Sequence, residues 1–272
     1  MKQLLLGILT VCLLLTLNSC QDNSDELDQQ VVPEKVISKL KALGFNPDGI
    51  EVIEEGYRIE RDIIIRESDL ETLDFHDHSH KGRADKQYST NNLVSTGGNR
   101  NITIYMRDSR FPSNYATALN TAISRFNAEN LELTFSRTNN RRNADIEIRN
   151  LSRRDERRGV LGSAGFPSGG DPYGSVLLSR IMGSSFGYST NAIATVIAHE
   201  LGHCIGFRHT DYFDRSLSCG GNPVNEGPST VGANHIPGTP TGFSAESWML
   251  SCSGGGDRPF NNDDQVALDF LY

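Results

Sequence analysis

The stretch His199-Glu200-Leu201-Gly202-His203-Cys204-Ile205-Gly206-Phe207-Arg208-His209 constrains this chain more than any other. Upstream, Ile193, Val196 and Ile197 recur at helical spacing after Ser189-Thr190, so the pattern predicts a helix running into it. On that helix His199 and His203 stand one turn apart on one face, and both imidazoles can reach a single ion. Glu200 projects beside them, where it can take a proton from a metal-bound water. Gly206 lets the helix end in a left-handed turn, and the chain then returns His209 to the same ion. Three histidines leave the fourth position for water, which marks a catalytic rather than a structural site. Two histidines four apart can be an ordinary helix face. The glutamate and the third histidine at fixed spacing make that the weaker reading.

The first twenty residues are a separate object. Met1-Lys2 is followed by an almost unbroken apolar run from Leu4 to Leu17, too short to span a bilayer and closed by small residues, as in a signal peptide. Leu17-Asn18-Ser19-Cys20 resembles a bacterial lipobox, which implies cleavage after residue 19 and lipidation of Cys20. Residues 20–32 then read as a lipidated cysteine and a polar, acidic tether. No later apolar stretch is long enough to cross a membrane, so the expected membrane contact is the lipid alone.

Residues 33–85 read as a small α+β segment with a linker, either a pro-segment with its cut site around Arg83–Lys86 or a permanent accessory domain. Pro33-Glu34 opens a helix carrying Val36, Ile37, Leu40 and Leu43 on one face, with Gly44 as its stop. Val52–Ile53 and Ile59–Ile65 read as strands. His76, His78 and His80 fall in a polar stretch without periodicity, read as exposed linker rather than as a metal or pH sensor.

From residue 86 to 272 the pattern is that of an α+β domain. Strands are expected at Ile102–Met106, Leu131–Phe135 and Ala144–Ile148, with a helix over Tyr115–Asn127. Residues 159–179 read as a strand, a glycine-rich loop and a second strand with an irregular edge. Beyond Gly206 regular patterning fades until a closing helix at Asn262–Tyr272.

The motif, with Thr210-Asp211 after it and Ile236-Pro237-Gly238-Thr239-Pro240 before Ser247-Trp248-Met249, resembles the metzincin zinc peptidases, and among them the bacterial HEIGH-type metallopeptidases. The resemblance implies one catalytic zinc on His199, His203 and His209, Glu200 as catalytic base, and Met249 in a Met-turn beneath the metal. It implies a twisted mixed sheet, an active-site helix and a loop-rich lower half. It also implies an edge strand, expected within 162–178, that holds an extended substrate. The activity implied is endopeptidase cleavage of extracellular or periplasmic proteins by Glu-assisted attack of zinc-bound water. Two departures stand out. Ser251 occupies the place of the extra tyrosine ligand of astacins and serralysins, and no cysteine between Cys20 and Cys204 can serve as a matrixin-like cysteine switch. An astacin-like carboxylate plug at Asp77 or Asp85 is the alternative, although no motif marks either.

Cys204, Cys219 and Cys252 remain in the body of the chain. In an oxidising compartment one pair can bridge, and Cys219 with Cys252 is preferred because Cys204 lies inside the metal motif. Calcium stays open: Asp171 and Asp257 sit on loops and could serve as ligands, but no recognisable ligand spacing surrounds them. His235 reads as surface or cleft lining. A net charge of −8 offers no broad basic face, which argues against nucleic acid and leaves protein or peptide as the partner. The competing class is a non-catalytic surface lipoprotein that keeps the zinc fold for binding. Glu200 discriminates, since a retired site has no need of its base.

Overall fold

The computed structural model describes residues 31–72, 87–240 and 242–272. The chain begins with α1 (Glu34–Ala42), which buries Val36 and Leu40 and ends at Gly44 with φ +79°. Strands β1 (Glu51–Ile53), β2 (Gly56–Ile59) and β3 (Ile63–Ile65) form an antiparallel meander, followed by α2 (Glu67–Thr72). The sequence reads Ile59–Ile65 as one strand. The structure breaks it at Glu60-Arg61-Asp62, where Glu60 and Arg61 adopt φ of +53° and +78°. Left-handed backbone at non-glycine residues costs on the order of 1 kcal/mol each. Here it is offset by what the turn delivers, a buried Glu60 and an inward Asp62.

The larger part comprises β4 (Tyr88–Ser89), β5 (Arg100–Met106), α3 (Asn114–Ala128), β6 (Leu133–Arg137), β7 (Ile146–Asn150), α4 (Arg153–Arg157), β8 (Gly162–Ser163) and β9 (Ser175–Leu178). Helices α5 (Met182–Phe186), α6 (Thr190–Ile205) and α7 (Ser216–Cys219), strand β10 (Asn234–His235) and α8 (Asn262–Leu271) follow. The sheet order is β6-β5-β7-β9-β8, parallel except for the antiparallel edge strand β8. Alternating burial along β5 puts Ile102, Ile104 and Met106 inside, as expected for a strand with one covered face. The mixed sheet, long central helix and loop-rich second half make the α+β arrangement expected from the sequence.

Helices α3 and α6 pack against each other in the main core. α6 is buried along nearly its whole length, and its hydroxyl cap Ser189 accepts from Ala192 N at 3.1 Å. Trp248 packs between Phe126, Phe207 and Phe260, with ring centroids 5.4, 5.4 and 4.8 Å away. Burying a side chain of this size contributes roughly 1.5–3 kcal/mol or more, and it ties the loop carrying Met249 to the scaffold. A second, smaller core of Leu40, Phe45, Ile59, Ile63 and Leu70 belongs to the N-terminal segment and reaches Val231 and Phe166 of the larger part.

The segment also extends the sheet. Ile64 N donates to Ala164 O at 2.6 Å and Ala164 N to Asp62 O at 2.9 Å, a parallel bridge just past β8. No helix among the described residues is long and apolar enough to cross a membrane.

Candidate metal centre

Helix α6 places His199 and His203 with their Nε2 atoms 3.0 Å apart. Gly206 ends the helix at φ +111°, and an added Cβ there meets Leu93 and Thr90, so the turn demands glycine twice over. The chain then reverses: Phe207 N bonds to Gly202 O, and Arg208 N to Tyr88 O. That reversal brings the His209 ring to 5.3 and 4.9 Å from the rings of His199 and His203.

All three Nδ1 atoms are committed away from the centre. His199 Nδ1 donates to Trp248 O at 3.0 Å, His203 Nδ1 to Phe207 O at 2.9 Å, and His209 Nδ1 to the Glu226 carboxylate at 2.9 Å. With the proton held on Nδ1, each Nε2 presents a lone pair inward. Two such lone pairs 3.0 Å apart repel unless a cation lies between them, so the donor set fits a zinc ion. Glu200, only 2% exposed, has a carboxylate oxygen without a protein partner.

A fourth donor completes the cluster. Asp62 Oδ2 lies 3.1 Å from His209 Nε2 and 3.6 Å from His199 Nε2, and Asp62, His199, His203 and His209 together could hold one metal ion. Nothing in Glu60-Arg61-Asp62 marks it in the sequence beyond a charged triplet breaking an apolar run. Asp77 and Asp85 lie outside the described residues, as do Cys20, His76, His78 and His80.

The surrounding charges are heavily buried. Glu60 pairs with Arg208 at 3.2 Å, both 3% exposed or less, and Arg208 lies 3.8 Å from Glu226. Burial, only partly offset by Arg208, pushes the Glu60 carboxyl up to about 8. Without metal, burial and then the nearby Asp62 charge push Glu200 well above the usual carboxylate range. Burial depresses His203, helped by the neighbouring imidazoles. For His209 burial acts downward, but the Asp62 and Glu226 carboxylates outweigh it and hold the ring well above its ordinary value.

Met249 is fully buried under α6: a Cβ at Gly202 would fall 2.7 Å from its Sδ and 2.5 Å from Trp248, so glycine lets the helix settle onto this turn. Thr210 N donates to Met249 O at 2.9 Å. Ser247, beside it, donates to Asp264 at 2.7 Å, and the Gln87 amide also meets Asp264, so α8 pins the turn from behind. Ser251 donates to Asp211 and Glu226. Cys219 and Cys252 are joined across 33 residues, and Cys204 is a buried free thiol that burial holds protonated. Asp171 pairs with Arg100 and Asp257 with Arg125. His235 meets Thr239 Oγ1 at 3.0 Å, apart from the cluster. Glu226, which orients His209, has no signal in the sequence either, lying in Asn225-Glu226-Gly227-Pro228.

Three convergent imidazoles, a buried carboxylate on the same helix and a methionine turn beneath it form a site suited to a zinc metallo-peptidase. The chain belongs to the dual-action HEIGH metallo-peptidase family, whose model matches residues 57–272. That match begins within the N-terminal segment and includes Asp62. Among solved structures, high choriolytic enzyme 1, a hatching enzyme zinc-protease from Oryzias latipes (Medaka fish), is 20% identical with a TM-score of 0.27 over 43% of this chain and 48% of that one. Myroilysin is 16% identical with a TM-score of 0.29 over 43% and 55%. The chain thus spans about half the length of each. No curated protein matches.

Proposed function

We propose that this chain is a zinc endopeptidase with Glu200 as its base, made in a latent form in which the N-terminal segment fills the active-site cleft. The observation that carries the reading is the set of three inward-facing imidazoles with Glu200 beside them and the Asp62 carboxylate between them. Bound zinc supplies Lewis-acid polarisation of the scissile carbonyl and acidifies a water. His199, His203 and His209 would hold the ion, their rings fixed by Trp248 O, Phe207 O and Glu226. Glu200 takes a proton from the attacking water on its carboxylate and passes it to the leaving amine. The free edge of β8 holds an extended peptide by main-chain hydrogen bonds.

In the latent form that edge is taken. The segment pairs at Ala164 in the parallel sense and presents a side-chain carboxylate, not a peptide carbonyl, to the metal ligands. It is therefore bound without being cut. Cleavage in the linker around Arg83–Lys86 would release residues 33–85 and with them the lipid anchor. Met1–Cys20 supports a location in the cell envelope on a lipidated Cys20, with the body facing the periplasm or cell surface.

The test is N-terminal sequencing of active protein together with its zinc content. A start between residues 73 and 90 with zinc bound is expected. Activity from a chain that still begins at Cys20 would contradict the latent form. The competing reading, a binding module that keeps the fold, is disfavoured by Glu200, which bonds no protein group at Oε2 and has no packing role that requires an acid.

A further inference from the structure

Resting on the reading of the N-terminal segment as a plug, we infer that the uncovered cleft selects peptides with an acidic side chain just past the cut bond, and that Arg258 sets this preference. The cleft is a cavity of about 880 Å³ that includes His199 and Glu200. Its charged lining divides by origin. The segment contributes Asp48, Glu51 and Asp62 with one cation, Arg61, whereas the catalytic part contributes Arg158, Arg215 and Arg258 against a single carboxylate, Glu200. The plug thus brings carboxylates to a cleft that is itself cationic. Glu51 pairs directly with Arg158, and this pair is lost when the segment leaves.

Antiparallel pairing is the stronger mode on a sheet edge. A substrate laid that way on β8 runs from Ala164 past Gly162, beside Glu200, toward Arg158. Thr195, Tyr188 and Arg258 line the same cavity as His199 and Glu200, and to this wall we assign the residues after the scissile bond. Arg258 is fixed there: its backbone N donates to Thr195 Oγ1 at 2.9 Å, one helical turn before His199. Its Nη1 donates to Cys252 O at 3.3 Å, on a loop held by the Cys219–Cys252 bridge. No ion pair to Arg258 occurs among the described residues, and the adjacent Asp257 is taken by Arg125 at 2.6 Å. Arg215 already faces Glu226, at 3.4 Å. A fixed guanidinium with spare donors and no counter-ion, in a cavity that a bound peptide dehydrates, is a receptor for a carboxylate.

The test uses the full chain carrying Asp62→Ala, loaded with zinc, and two peptides that differ only by Asp or Asn after the cut bond. The Asp peptide is expected to show roughly tenfold higher kcat/KM or more, the scale of one hydrogen bond to a charged group. In Arg258→Gln the ratio should fall toward one, and in Arg258→Glu it should invert in favour of a Lys peptide. As a readout free of turnover, an added Glu200→Gln chain should bind the Asp peptide about tenfold more tightly in calorimetry. Equal cleavage of both peptides, or a ratio that Arg258→Glu leaves unmoved, overturns the inference and spares the peptidase. Failure of the zinc-loaded chain to cut these peptides and casein overturns the peptidase reading itself.

Discussion

Replacing Asp62 by alanine should convert the zinc-loaded full chain from a latent to an active form. The Asp62 carboxylate is 13% exposed and sits 3.1 and 3.6 Å from two ligand nitrogens. Removing one partner of a buried charged contact costs about 3–5 kcal/mol. The lower end applies here, because several other anchors remain. These are the two hydrogen bonds at Ala164, the Glu60–Arg208 pair and the small core of the segment. A loss of about 3 kcal/mol shifts the balance between covered and uncovered cleft by roughly 100-fold. Initial rates on a short quenched peptide should rise by that order in Asp62→Ala, and by less in Asp62→Asn, which keeps the shape and one acceptor. Zinc measured on the same samples separates opening from metal loss. An Asp62→Ala chain that holds zinc and cuts no faster than the unaltered chain would refute the reasoning.

Three further outcomes follow from other contacts. Glu226→Ala removes the acceptor that fixes His209, and should weaken zinc affinity roughly 10- to 100-fold by chelator competition. Reducing the Cys219–Cys252 bridge, which closes a 33-residue separation, should lower unfolding free energy in denaturant titration by about 3–4 kcal/mol. Burial, only partly offset by bonds from Asn261, Ser247 and Gln87, raises Asp264 to about 6 in the fold. A raised folded-state pKa means that its stabilising contribution is fully present below about pH 4 and is lost as pH rises through 6. Against Asp264→Asn, the unaltered chain should therefore gain up to about 3 kcal/mol of relative stability between pH 7 and 4; a flat difference across that window would contradict the assignment.

Much of the centre was legible because its chemistry is local. His199, Glu200 and His203 are tied by one helical period, and Gly206 announces the turn that returns His209. The sheet strands were legible from alternation, as in Ile102, Ile104 and Met106, within a residue or two of their ends. What the sequence hid is long-range. Asp62 reaches His209 across 147 residues and Glu226 reaches it from a patternless loop, and neither contact leaves a period to read. The strand break at Glu60–Asp62 was masked for a related reason. Flanking isoleucines on both sides mimic one continuous strand, and only the buried partner Arg208, far along the chain, makes a strained turn worthwhile.

The most direct measurement is zinc content together with casein cleavage for the unaltered chain and Glu200→Gln, each before and after proteolytic removal of the N-terminal segment. The account predicts about one zinc in every sample, and cleavage chiefly in the processed chain that retains Glu200. Absence of zinc throughout, or equal cleavage by processed Glu200→Gln, would contradict it.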